Sequence, residues 1–273
     1  MINELDNYII TELISNCNDG AIYKAVDPAY PFTLFAIRVI PKELISPSKF
    51  LALEKETLIL QTVAHENIIK LKGTRVTKKH YCLIFEYCSD GNLASFIKTQ
   101  QCITENLLRH IIKQIVKALD ALHSMNIVHN NLSLSNILLI KKGDELNIKL
   151  ADFRSAQFVN PKTKDSRHDI LDMGCILQRL IYGESLNNIT NLSKKLNLSK
   201  DCFDFLTHCF QITTKKKFSF KKVKVHPFIG MDDEVSNNNE DWLLIGLEET
   251  REEEDEFEVV NTKEVGVMSE SYE

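Results

Sequence analysis

The chain has 273 residues, 44% of them hydrophobic and 26% charged, a composition suited to a folded protein with one large domain or two lobes. No apolar run nears the ~20 residues that cross a bilayer, and Met1-Ile2-Asn3-Glu4-Leu5-Asp6 lacks a basic-then-apolar leader, so the expectation is a cytoplasmic protein without a membrane span. The net charge of −5 hides a break near Gly230: residues 231–273 hold 16 acidic and 2 basic residues, whereas 22 acidic and 31 basic residues leave 1–230 at +9.

Ile9, Ile10, Leu13 and Ile14 lead into the polar turn Ser15-Asn16-Cys17-Asn18-Asp19-Gly20, and Ala21-Ile22-Tyr23-Lys24-Ala25 leads out of it. This pattern predicts two short strands joined by a hairpin. Phe35-Ala36-Ile37-Arg38-Val39-Ile40 alternates as a half-buried strand does. Residues 48–64 predict an amphipathic helix with Phe50, Leu53, Leu60 and Val63 on one face. On that helix Glu56 reads either as an exposed charge or as a partner for Arg38. Tyr81–Cys88 is an apolar strand, and Ser89-Asp90-Gly91-Asn92-Leu93 turns into a short helix. From Thr104 onward, Leu107, Leu108, Ile111, Ile112, Ile115, Leu119 and Leu122 recur with helical period, predicting a long and mostly buried helix.

The central stretch is Ile127-Val128-His129-Asn130-Asn131-Leu132-Ser133-Leu134-Ser135-Asn136-Ile137-Leu138-Leu139. It is followed by Ile148-Lys149-Leu150-Ala151-Asp152-Phe153-Arg154 and by the apolar helix beginning Asp169-Ile170-Leu171-Asp172-Met173-Gly174. Seven cysteines, at 17, 82, 88, 102, 175, 202 and 209, are odd in number, scattered and free of any C-x-x-C pair, so they read as reduced thiols.

In order and spacing these motifs resemble the eukaryotic protein kinase superfamily over about residues 8–229. The central stretch is similar to the catalytic loop H-R-D-L-x-x-x-N, and Asp152-Phe153-Arg154 to D-F-G. The resemblance implies an α+β fold of two lobes: a small β-rich N-lobe over about 1–86 with the family's αC helix, and a larger helical C-lobe over about 89–230. It also implies an ATP pocket formed by Ile14, Ile22, Ala36, Arg38, Glu56, Phe85, Glu86, Cys88 and Leu138, with Phe85 at the gatekeeper position and Glu86 and Cys88 in the hinge. Asn136 and Asp152 match the magnesium ligands, which are oxygen donors of the kind Mg²⁺ takes. Leu60, Leu71, Phe153, His129 and Asp169 match the stack that links the lobes.

The departures fall on residues that only the chemistry needs. Asn131 stands at the position of the base and Ser133 at that of the loop lysine, so no intact catalytic set remains. Arg38 replaces the strand lysine, Ser15 and Cys17 replace two loop glycines, and Arg154 replaces the D-F-G glycine. Only 17 positions separate Asp152 from Asp169, so the activation segment is shortened, with no A-P-E between Ser155 and His168. Lys217 sits where the family has an arginine paired with A-P-E, and His226-Pro227-Phe228 resembles the close of the domain. An amide cannot accept the substrate hydroxyl's proton, and general-base help is typically worth 10²–10⁴-fold, roughly 3–5 kcal/mol. The expected function is a pseudokinase acting as scaffold or regulator. The alternative is a weakly active Ser/Thr kinase using ATP and Mg.

The segment 231–273 reads as an acidic, disordered tail. Within it Glu240-Asp241-Trp242-Leu243-Leu244-Ile245 and Glu254-Asp255-Glu256-Phe257-Glu258-Val259-Val260 resemble short motifs that bind autophagosomal ubiquitin-like proteins, with Trp242, Ile245, Phe257 and Val260 as contacts. The bland alternative is an acidic tail with incidental apolar residues, or one folded back on the basic body. Cys82–Leu93 is similar to the hinge of autophagy-initiating kinases. An active kinase is a further expected partner. Nucleic acid is not, because the lysines of 215–224 lack interleaved aromatics beyond Phe218 and Phe220.

Overall fold

The computed structural model describes residues 4–5, 7–99, 103–143, 145–160, 165–182, 198–211 and 220–230. The first part of the chain is a six-stranded antiparallel sheet built from β1 (Glu4–Leu5), β2 (Tyr8–Cys17), β3 (Gly20–Asp27), β4 (Tyr30–Pro41), β5 (Leu71–Val76) and β6 (His80–Glu86), in the order β1-β2-β3-β4-β6-β5. Between β4 and β5 runs α1 (Pro47–Thr62). Ser46 caps it by accepting from Lys49 N at 3.3 Å, and Pro47 takes the first turn, where a missing N–H costs nothing.

The two faces of this sheet are separate cores because strand side chains alternate. Ala25, Phe35, Ile37, Val39, Cys82 and Ile84 pack on one side. On the other, Ile40, Tyr81 and Leu83 pack with Leu53 of α1. The face of α1 that turns inward is Leu53, Glu56, Ile59 and Leu60. This corrects the expected face at Phe50, which is 43% exposed. Phe50 lies at the outer end of the helix, where its ring only meets Tyr81 edge-on at 6.4 Å.

Beyond the sheet the chain becomes mainly helical: α2 (Leu93–Thr99), α3 (Glu105–Ser124), α4 (Arg167–Tyr182), α5 (Lys200–Gln211), α6 (Lys221–Lys224) and α7 (Pro227–Gly230). Thr104 accepts from Leu107 N at 3.2 Å and so starts α3 where its apolar periodicity begins. Interleaved are β7 (Ile127–Val128), the hairpin of β8 (Ile137–Lys142) and β9 (Glu145–Leu150), and β10 (Gln157–Phe158), which pairs with β7. The resulting architecture is α+β with two lobes, as the motif order implies. No described helix is long and apolar enough to cross a membrane.

The lobes share one core. Ile59, Leu60 and Val63 of the first part join Leu119, Ile148, Leu150 and Phe153 in a single buried cluster. The linker after α1 is fastened to the second part by main-chain bonds: Ile69 N donates to Leu150 O and Leu150 N to Asn67 O, both at 2.9 Å. Asn67 Nδ2 also donates to Gln114 Oε1 of α3 at 2.8 Å, and Gln114 Oε1 accepts from Ile148 N at 2.9 Å. Burying such polar groups costs free energy unless they are paired, so this network fixes the lobe connection as well as tolerating it.

Candidate active site

Register brings the charged residues to the cleft between the lobes. Arg38 lies two residues before Ile40 on β4, so both side chains leave the same face, the one covered by α1. Glu56 lies one turn beyond Leu53 and faces the same way. Arg38 Nη1 donates to Glu56 Oε2 at 3.0 Å and to Oε1 at 3.2 Å, both partners being buried. Of the two readings of Glu56, the paired one is therefore what forms. Burial pushes the Glu56 carboxyl up, against the pull of the Arg38 charge and hydrogen bond, and the net direction is upward.

Sequence reading did not anticipate the third member. Asp19, in the tight turn where Cys17 pairs with Gly20, is buried, and its Oδ2 accepts from Arg38 Nη2. One guanidinium thus spans two carboxylates. The turn is pressed so closely onto β4 that a Cβ on Gly20 would lie 2.0 Å from the Val39 carbonyl oxygen. Gly20 is therefore explained here by close backbone approach. Asp19 Oδ1 and Arg38 Nε are buried without a hydrogen-bond partner among the described residues. The only sequence signal for Asp19 was an Asp-Gly pair in a hairpin turn, which reads as a surface feature.

On the opposite wall the central stretch is held from behind. Both Asp169 oxygens are used: Oδ1 accepts from Asn130 N at 2.8 Å, and Oδ2 from His129 N at 3.1 Å while meeting His123 Nε2 at 2.7 Å. Burial raises the Asp169 carboxyl, but the His123 hydrogen bond and charge and the two backbone donors outweigh it, so it is held below the ordinary range. The His129 ring packs edge-on against Phe153 at 4.7 Å, its Nε2 lies 3.2 Å from Ala151 O, and burial lowers its pKa. Of the expected stack, His129 packs on Phe153 and is held by Asp169, while Leu60 and Phe153 belong to the shared core and Leu71 packs against it.

At the mouth of the cleft Asp152 adopts a left-handed backbone conformation (φ 64°, ψ 71°). Arg154 folds back over it, with Nε 2.5 Å from Oδ1 and Nη2 2.6 Å from Oδ2. Asn131 Nδ2 donates to the same Oδ2 at 3.0 Å, and Asn136 Nδ2 donates to Asn131 O at 2.8 Å. Burial pulls Asp152 upward, yet the Arg154 hydrogen bonds and charge win and its carboxyl lies below the usual value. Asp152 and Asn136 are donors of the type that Mg²⁺ takes. As arranged they do not fit it: both Asp152 oxygens are engaged, and the Arg154 cation stands where a dication would repel it.

The remaining expected pocket residues lie on β2, β3, β4, β6 and β8 and just after β6. Ile22 lies opposite Arg38 across the ladder, and Ala36 opposite Phe85. Ile22, Ala36, Phe85 and Leu138 are half-buried, whereas Ile14 is 44% exposed on β2. The Glu86 side chain turns away to accept from Lys70 N and to pair with Lys149 Nζ, both at 2.8 Å. Burial, helped by the Glu86 charge, pushes the Cys88 thiol up to about 12. Ser133 Oγ lies 3.1 Å from Ser135 Oγ. Lys217 and the segment 231–273, with Trp242, Ile245, Phe257 and Val260, lie outside the described residues.

A six-stranded sheet carrying one long helix, packed on a mainly helical body, with charged residues contributed by both parts, has the layout of a kinase-type protein. The model of the protein kinase domain matches residues 8–170, and the chain belongs to that family. Similar proteins include the serine/threonine-protein kinase ULK3 of Homo sapiens, 27% identical over 264 residues, covering 84% of this chain and 56% of that protein. The serine/threonine-protein kinase unc-51 of Caenorhabditis elegans is 29% identical over 240 residues, covering 71% and 28%. The serine/threonine-protein kinase ATG1c of Arabidopsis thaliana is 25% identical over 235 residues, covering 72% and 32%. The chain spans about half the length of the ULK3 relatives it matches.

Proposed function

We propose that this protein is a kinase-fold scaffold or regulator that does not transfer phosphate. The observation that carries the reading is Asp152, whose carboxylate is bound by Arg154 at 2.5 and 2.6 Å and by Asn131 at 3.0 Å. The residue at the position of the base is thereby an amide donor to the magnesium ligand, and it has no lone pair of carboxylate strength to take a proton. Arg38 has both Nη groups on carboxylates, so a phosphate must break a buried ion pair to reach it. In this reading residues 1–230 form the domain and 231–273 an acidic cytoplasmic tail. Partners are proteins: an active kinase, or autophagosomal ubiquitin-like proteins reached through Trp242, Ile245, Phe257 and Val260. Incubating the full chain with radiolabelled ATP, Mg²⁺ and generic protein substrates tests it. No transfer above the Asp152→Ala background is expected, and transfer abolished by Asp152→Ala overturns the reading.

A second reading, a weakly active Ser/Thr kinase using ATP and Mg, draws on the Arg38–Glu56 pair and the His129–Phe153 packing, which keep the lobes in register. The same assay decides between the two.

A further inference from the structure

Away from the cleft, a hollow of about 250 Å³ lies between α2 and the β8–β9 hairpin. Phe96, Leu139 and Leu146 give it apolar lining, and Asp90, Thr99 and Lys141 give it polar lining. Main-chain groups fix its form: Leu139 N donates to Gly91 O and Lys141 N to Asp90 Oδ2, both at 2.9 Å. Ser89 Oγ donates to the same Asp90 oxygen at 2.7 Å. These two donors, Lys141 N foremost, hold the Asp90 carboxyl below the ordinary range. Asp90 is exposed, and its Oδ1 has no partner among the described residues. The hollow thus offers an apolar lining and one ionised acceptor. Pockets that take drug-sized ligands run about 300–1,000 Å³, so this one suits a single side chain. An apolar ring with one N–H donor and no acceptor is the side chain of tryptophan.

The chain holds one tryptophan, Trp242, twelve residues beyond Gly230, where the described residues end. Neighbouring residues of α3 connect that end with the hollow. The Arg109 guanidinium lies 5.4 Å from the centre of the Phe228 ring of α7, and His110 Nε2 lies 2.8 Å from Leu146 O. Both places therefore border one turn of a helix about 10–12 Å wide, and twelve extended residues reach up to about 40 Å. The intervening residues include Asp232, Asp233, Glu234, Glu240 and Asp241 and no Lys or Arg, against +9 over 1–230. Lys98, Lys141 and Lys142 are exposed beside the hollow, with Glu145 opposite Lys142 in the ladder. We propose that Trp242 docks in this hollow, its indole N–H on Asp90 and its acidic flank toward the lysines. Docked so, Trp242 is withheld from other proteins, and a partner of the tail must displace it.

Because Trp242 is the only tryptophan, its fluorescence in the full chain reads the docking directly. Native emission is expected to be blue-shifted from that of the chain in urea, with acrylamide quenching several-fold weaker than for N-acetyltryptophanamide. Lys141→Glu and Thr99→Glu, both at exposed positions, are each expected to return emission and quenching toward the urea values with the far-UV circular dichroism unchanged. Native emission equal to that in urea overturns the proposal, as does a blue shift that both variants leave in place. A blue shift that grows with protein concentration assigns the tryptophan to a second copy and overturns it too. Phosphoryl transfer is a separate readout, so the reading of the domain as inactive stands or falls independently of this docking.

Discussion

Arg38 Nη1 lies 3.0 Å from Glu56 Oε2 while its Nη2 is taken by Asp19, so the strand cation is the middle of a buried triad. Removing it leaves two carboxylates uncompensated in the interior. Arg38→Met is expected to cost about 3–5 kcal/mol, the usual consequence of breaking a buried ion pair from one side. Arg38→Lys keeps the charge but loses the planar fork that reaches both acids, so a smaller loss is expected. Urea unfolding of the three proteins gives the ranking; a Lys variant as stable as wild type would show that the fork is not needed.

Asn131→Asp restores the identity of a base without restoring a site. The Asn131 amide donates to Asp152 Oδ2 at 3.0 Å, so an aspartate would put two carboxylates at that separation. Loss of the hydrogen bond and the added repulsion predict about 1–3 kcal/mol of destabilisation at neutral pH. No gain of phosphoryl transfer is expected. Denaturant midpoints and the radiolabel assay measure the two effects, and an active Asn131→Asp protein would contradict the assignment of Arg154 as the block.

Gly20→Ala forces a Cβ onto the Val39 carbonyl, backbone against backbone, which no side-chain rotation relieves. The turn must lift, carrying Asp19 off Arg38. A loss of about 2 kcal/mol or more is expected. The effect should be non-additive with Arg38→Met, because both act on one network. A double-mutant cycle in urea tests the coupling; simple additivity would show that the turn and the triad are independent.

The pH dependence of stability should carry the mark of Asp169. Its folded pKa is depressed, so the stability it supplies is complete above the ordinary aspartate value of about 3.9 and is lost as pH falls through the lowered folded value. Asp169→Asn is expected to be less stable at neutral pH and to show a flatter decline below about pH 4. Unfolding free energies across that range check both halves; an unchanged acid slope would remove Asp169 from the account.

What the sequence made legible were features that repeat or are flanked by rigid spacing. The helical period from Leu107 to Leu122 and the apolar run into Asp152 each predict an element that forms, and Phe35–Ile40 forms its strand too, though Ile37 to Ile40 are buried on both faces rather than half-buried because a core covers each side of the sheet. Arg38 and Glu56 could be matched because the elements that carry them are regular. Asp19 could not, since its burial depends on a turn folding over β4, a contact 19 residues away with no periodic signature. Arg154 read as a missing glycine, whereas its effect comes from a long side chain curling back two residues onto Asp152. Phe50 failed for a simpler reason: its position in the first turn of α1 leaves it 43% exposed although it shares the helical phase of Leu53 and Leu60.

The pairing of β10 with β7 ties the chain after Asp152 to the chain before Asn131. Gln157 and Phe158 pair with Val128 and Ile127, while Asp169 accepts from His129 N and Asn130 N. Four consecutive residues, Ile127 to Asn130, are thus held from two later parts of the chain, so a substitution that loosens one hold is expected to be felt at the other through the same seam.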